Sequence, residues 1–121
     1  ELGVSFIITK GLDRCLFLYA QAEWEALAAK LRQLPLVRPE ARALARFFFS
    51  SARSLECDKQ GRFLVPANLR SYAGIALKQT VVLTGTDSRI EVWSKEQWRS
   101  YNDEVEPDVA AIAATLADVG I

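Results

Sequence analysis

Two apolar runs rich in β-branched and aromatic residues, VSFIITKG at 4–11 and CLFLY at 15–19, flank the turn residues Gly11 and Asp13 and predict a hairpin. Behind it the period lengthens. Trp24, Leu27, Leu31 and Leu34 recur at spacings of three and four, which predicts an amphipathic helix over 20–34 that Pro35 stops. Pro39 opens a second helix running to about Ser50, with Ala41, Leu44 and Phe48 on one side and Arg38, Arg42 and Arg46 on another. Phe47 and Phe49 each point about 100° away from Phe48, so this helix is apolar around most of its girth. The three phenylalanines cannot all face one core, and they are expected to contribute to an oligomer interface.

SLECD (54–58) and FLVP (63–66) read as short strands around a tight turn, and Pro66 starts a short helix that ends at Gly74. TVVLTG (80–85) and RIEVW (89–93) predict another hairpin. Ser94 with Gln97 three residues on is a capping box for a helix that should bury Trp98, Tyr101 and Val105. Pro107 disfavours helix at Glu106, so a break is expected there, followed by a helix that docks through Val109, Ile112 and Leu116.

The second half repeats the first. An offset of 74 pairs Gly11 with Gly85, Asp13 with Asp87, Leu16 with Ile90, Leu18 with Val92, Tyr19 with Trp93 and Trp24 with Trp98. With one residue of slippage, Phe6 to Thr9 falls on Val81 to Thr84. Hairpin, turn, aromatic and helix recur in the same order, which indicates a duplicated unit. The second copy starts with CDKQGRFLVPANLR, whose counterpart would lie before Glu1, its arginine roughly 13 residues ahead of it. The first copy therefore reads as incomplete, and the chain, which has no initiator methionine, as a fragment.

Composition changes this picture mainly by exclusion. The chain has 121 residues, 50% apolar and 25% charged, which suits one globular domain. No apolar run approaches the length of a membrane span, and no signal peptide is visible. Cys15 and Cys57 lie in apolar stretches and read as reduced core thiols of a cytosolic protein rather than a disulfide. With no histidine, there is no Ser-His-Asp or Cys-His pair, and two cysteines cannot make a four-cysteine zinc site. No phosphate-binding glycine loop occurs. An enzyme is disfavoured, and neither a metal, a cofactor nor a small-molecule substrate is expected. Net charge is zero but unevenly spread. Residues 30–70 hold nine cations against three acids, whereas Asp103, Glu104, Glu106, Asp108 and Asp118 have no basic companion after Arg99. Such a split suits one basic face offered to a polyanion, and solvated helix faces also produce it.

The turn CDKQGRFLVP (57–66) concentrates the candidate chemistry. Asp58 can accept its own chain's amides and Gly61 tolerates positive φ, the demands of a type I turn closed by a left-handed residue. Taken alone this is a hairpin closure. Four segments in order change that reading: KGLDRCLFLYAQAEWEAL (10–27), ARALARFFFS (41–50), CDKQGRFLVPANLRSYAGI (57–75) and RIEVWSKEQW (89–98). Together the chain resembles the MraZ family of bacterial transcriptional regulators, built from two SpoVT-AbrB-type repeats.

The resemblance implies an α+β fold, a swapped-hairpin double-split β-barrel with flanking helices, whose first repeat is incomplete here. It divides the chain into the remainder of the first repeat (1–35), a connecting helix (36–53), the second repeat (54–97) and a C-terminal helical segment (98–121). It further implies sequence-specific binding to double-stranded DNA at the promoter of the division and cell-wall gene cluster, a ring of identical subunits, and a cytoplasmic, nucleoid-associated location. The arginine of the family's D-x-x-G-R turn maps to Arg62 and would contact DNA. Lys59 would attract phosphate, Gln60 would add a polar contact, and Arg70 would meet a phosphate or an acid. The Arg38, Arg42, Arg46 stripe reads as solvated or paired with acids of a neighbouring subunit. Trp24, Trp93 and Trp98 read as core rather than base-stacking platforms. Two rivals stand beside this: an antitoxin of the same fold whose acidic tail wraps a partner, and a ring-forming structural protein for which Arg62 is dispensable.

Overall fold

Both predicted hairpins form. The computed structural model, which describes residues 5–120, contains strands β1 (Ser5–Lys10), β2 (Leu16–Ala20), β3 (Arg53–Glu56), β4 (Val81–Thr86) and β5 (Arg89–Ser94). Helices are α1 (Gln21–Arg32), α2 (Pro39–Ser51), α3 (Ala67–Ala73), α4 (Lys95–Val105) and α5 (Val109–Thr115). Val4, assigned above to the first strand, lies outside the described residues. The strands make one open antiparallel sheet in the order β3-β1-β2-β5-β4. Among the described residues the sheet does not close into a barrel.

The duplication is built into this sheet. At its centre β2 and β5 pair with Leu16 opposite Val92, Phe17 opposite Glu91 and Leu18 opposite Ile90. Phe17 thus faces its own equivalent 74 residues on, so a local two-fold relates the two hairpins about that pair. Both hairpin turns obey it, since Asp13 and Asp87 adopt left-handed φ of 63° and 65°. The first helices follow, and Ser94, the equivalent of Ala20, accepts a 3.0 Å hydrogen bond from the Gln97 amide as the capping box predicts.

Strand alternation sends side chains to two cores. Ile7, Cys15, Phe17, Tyr19 and Trp93 face α1 and α2, meeting Trp24, Ala28, Leu31 and Phe48, while Trp98 and Tyr101 of α4 dock on Trp93. Ile8, Leu16, Leu18 and Val92 form the opposite face under Leu69, Ala73 and Ile75. Polar bonds tie these layers together. Thr9 Oγ1, wholly buried, lies 2.7 Å from Ser51 Oγ at the end of α2, and the Tyr72 hydroxyl donates to the Gly11 carbonyl at 2.7 Å. Burial pushes the Cys15 thiol up to about 12, helped by the nearby Glu91 and Asp13 carboxylates, so it stays protonated. Both cysteines are free; Cys57, however, is only half-buried and is not a core thiol.

Two further expectations are corrected by the fold. FLVP (63–66) is not a strand: β3 spends its pairing edge on β1, and residues 63–66 have no ladder partner among the described residues. Glu106 keeps helical φ and ψ of −58° and −43° in spite of Pro107, and the α-helix is interrupted only by a 3-10 turn at Glu106–Asp108, where Asp108 is at φ −102° and ψ 6°; the tail beyond it is helical but does not dock, and Val109, Ile112 and Leu116 are all exposed. The two-fold is also broken on the α3 face. Ile8 and Leu16 are fully buried, whereas their equivalents Leu83 and Ile90 are 59% and 44% exposed. With Phe6, Leu18 and Phe63 they line an open apolar groove of about 640 Å³.

Candidate nucleic-acid interface

Residues 57–66 leave the end of β3 as a tight loop whose conformation follows from two residues. The Asp58 amide donates to the Arg62 carbonyl at 2.8 Å and the Gly61 amide to the Asp58 carbonyl at 3.0 Å, closing the turn. Gly61 sits at φ 78°, a conformation that a β-branched residue resists. Asp58 Oδ1 accepts from the amides of Gln60 (2.9 Å) and Arg62 (2.8 Å), which satisfies donors that the loop otherwise leaves to water.

The same carboxylate aims the arginine. Arg62 Nε donates to Asp58 Oδ2 at 3.0 Å, while the side chains remain 74% and 46% exposed. An exposed pair of this kind adds little to stability. What it does is engage the Nε of the guanidinium and leave both Nη groups without a protein partner among the described residues. Together these match the O6 and N7 acceptors of guanine or two phosphate oxygens.

Lys59 and Gln60 are exposed at the tip beside Arg62, so the structure brings three of the four proposed contact residues together. Arg70 is different. Its Nε donates to the Val65 carbonyl at 3.3 Å and it is half-buried, so it braces the segment joining the turn to α3, and no carboxylate pairs with it among the described residues. Phe63 packs edge-on against Phe6 at 5.1 Å and fastens the base of the turn to β1. Sequence reasoning misses that anchor, although an aromatic directly after the turn arginine is a signal for it.

Of the expected interface phenylalanines, Phe48 is buried in this subunit's own core and Phe47 packs on Phe48 and Tyr72. Phe49 reaches Trp24 yet stays 39% exposed, the one of the three that offers much surface to a neighbour. Only one side of α2 is buried, through Ala41, Phe48 and Ser51, and Leu44, expected beside Ala41 and Phe48, is 40% exposed.

The Arg62 backbone amide, then that of Gln60 and the Arg62 side chain, hold the Asp58 carboxyl below its ordinary value of 3.8. A depressed carboxyl stabilises the turn fully above that ordinary value and loses the effect as pH falls through the depressed one. The Arg62 amide resonance should therefore titrate with a midpoint below 3.8 and be flat from about pH 5 to 8. A midpoint at or above 3.8 would contradict the hydrogen bonds described.

Fold and loop together define a class: a two-repeat α+β protein that displays a rigidly held basic turn. Comparison with known proteins narrows this. The chain matches a family model described as "MraZ protein, putative antitoxin-like" over residues 1–47 and 48–120. It is 52% identical over 120 residues to a protein named transcriptional regulator MraZ from Desulfitobacterium hafniense (strain DSM 10664 / DCB-2), covering 99% of this chain and 82% of that one. A protein of the same name from Clostridium tetani is 50% identical over 121 residues, with 100% and 83% covered, and one from Syntrophomonas wolfei is 47% identical over the same length and shares. The chain belongs to the MraZ family. Among the described residues no helix is long and apolar enough to cross a membrane.

Proposed function

We propose that this chain is a non-enzymatic transcriptional regulator that binds specific double-stranded DNA upstream of its own gene, in the division and cell-wall cluster, and represses it. The observation that carries this reading is the Asp58-held Arg62, a cation presented on a stiff stem with its guanine-matching edge free. A guanidinium already biased toward one arrangement by its Nε bond to Asp58 loses less rotamer entropy on contact than a free one. Its place of action is the cytoplasm, on the nucleoid. The working form is a ring of identical subunits, each contributing one weak contact that multivalency strengthens. The relatives' name, transcriptional regulator, supports the same reading.

The test is titration of the protein with DNA from upstream of its gene and with a scrambled duplex at several salt concentrations. The proposal expects a clear preference for the upstream duplex; equal affinity for both would contradict it. In the same titration Lys59→Ala should weaken binding to both duplexes alike and flatten the dependence of log K on log salt by about 0.9 for each phosphate that Lys59 neutralises. A change confined to the specific duplex would instead make Lys59 a base reader.

The sheet's two-fold extends the proposal. α3 and its turn cover Ile8 and Leu16, and the equivalent groove at Leu83 and Ile90 has the shape and chemistry for a second element of that kind. In the complete two-repeat, barrel-like form this element is a D-x-x-G-R-like turn and helix encoded roughly 13 residues ahead of Glu1. Reading the upstream coding sequence checks it, and a start codon at Glu1 with no such turn encoded would refute it.

A further inference from the structure

The β1–β2 turn brings together side chains that neither core nor the Arg62 loop uses. Lys10 Nζ and the Arg14 guanidinium each lie 5.2 Å from the centroid of the Tyr72 ring on α3. That ring is itself fixed, since its hydroxyl donates to the Gly11 carbonyl at 2.7 Å and Phe47 meets it edge-on. Lys10 is half-buried and Arg14 exposed, and neither forms an ion pair among the described residues, even with the neighbouring Asp13. The backbone beneath them is strained. Asp13 and Arg14 are both left-handed, at φ 63° and 65°. A turn of this kind does not need the second of these: in the equivalent hairpin only Asp87 is left-handed, Ser88 stands where Arg14 does, and no cation corresponds to Lys10.

Phe6, Ile8 and Lys10 alternate onto the α3 face of β1, and Phe6 is where Phe63 anchors the base of the Arg62 turn. Four residues of strand separate that anchor from Lys10, about 13 Å, which matches about four base steps of duplex at 3.4 Å each. We propose that Lys10 and Arg14, gathered on the Tyr72 ring, grip backbone phosphates of the same duplex about four base pairs from the base that Arg62 reads. The proposal rests on the DNA-binding function given above and adds to it a second contact, one that positions the duplex and carries no sequence information. An aromatic face attracts cations without consuming N–H donors, so the Lys10 ammonium and the Arg14 guanidinium keep theirs for phosphate oxygens. Gathering the two charges beforehand lowers the entropy lost when DNA arrives, and the left-handed backbone at Arg14 is what carries its side chain over the ring.

The test compares wild type, Lys10→Gln/Arg14→Asn and Lys10→Arg/Arg14→Lys in titrations with the upstream and scrambled duplexes over a series of salt concentrations, with circular dichroism and thermal melting to confirm folding. Asparagine is chosen at position 14 because it tolerates left-handed φ. The neutral variant should flatten the dependence of log K on log salt by about 0.9 for each phosphate released, about 1.8 in all. With the two lines meeting at about 1 M salt, binding at about 0.15 M is then about 30-fold weaker. The loss should be the same for both duplexes, so the preference for the upstream one is kept, and the charge-conserving variant should hold the wild-type slope. A folded neutral variant with the wild-type slope would overturn the proposal, and a lower melting temperature alone would mean that the cations only brace Tyr72. Loss confined to the upstream duplex would also overturn it, because the pair would then read bases. Should the double variant not fold, Lys10→Gln and Arg14→Asn are measured singly, each expected to flatten the slope by about 0.9. Wild type that binds both duplexes equally would contradict the sequence-specific function and leave the comparison of slopes intact.

Discussion

Arg62→Ala should abolish discrimination between the upstream duplex and a scrambled one while leaving the fold intact. A bidentate contact to guanine contributes about 1–3 kcal/mol of discrimination per subunit, or about 5- to 150-fold. Several subunits bound at once multiply that factor, so even the lower figure removes measurable specificity. The fold survives because the Arg62 side chain is 74% exposed and its one ion pair lies in solvent. The Asp58 carboxylate still accepts the amides of residues 60 and 62, so the turn stays closed. Circular dichroism and thermal melting should match wild type, and residual binding should be uniform across sequences. A folded variant with wild-type preference would make the turn a closure only and favour the purely structural ring.

The largest effect on stability is expected at Phe17, where the two-fold crosses the sheet. Its ring is 4% exposed, stacks on Phe48 with centroids 6.4 Å apart and meets Tyr19 edge-on at 6.1 Å. The Arg89 guanidinium lies 4.1 Å from its centroid while bonding Glu91 at 3.0 Å, and Glu91 also accepts the Trp93 indole N–H at 3.0 Å. Phe17→Ala should cost about 3–5 kcal/mol through reduced burial and the cavity left between β2 and α2. That is a large share of the about 5–15 kcal/mol that keeps a domain folded. Urea unfolding would show it as a lower midpoint at unchanged slope. A loss under about 1 kcal/mol would mean that the two hairpins are not joined through this residue.

That joint also marks where sequence reading stops. Helix and strand periods, the Gly74 end of α3 and the Ser94 cap are local, and each is legible from a few adjacent residues. The 74-residue offset makes the two-fold visible without knowledge of any strand pairing. Glu91 and Arg89 are not legible as a half-buried pair, because a charge in a strand ordinarily marks the wet face. FLVP misleads for the opposite reason: its composition suits a strand, but a strand exists only where a partner offers its edge, and β1 is already taken by β3. The undocked tail has a similar cause, since amphipathic period predicts a helix and says nothing of which chain covers it. At the turn, D-x-x-G determines the backbone, whereas the direction of Arg62 depends on a side-chain bond to Asp58 that spacing permits but does not require.

The most direct test of base reading by Arg62 pairs that arginine with its target atom. Binding of wild type and Arg62→Ala would be measured on upstream duplexes in which single guanines are replaced by 7-deazaguanine, which lacks the N7 acceptor. At one guanine per bound site the replacement should weaken wild type by about 1–3 kcal/mol and leave Arg62→Ala unchanged, the non-additive result of two groups that touch. Equal losses for both proteins at every guanine would contradict a contact between Arg62 and a base.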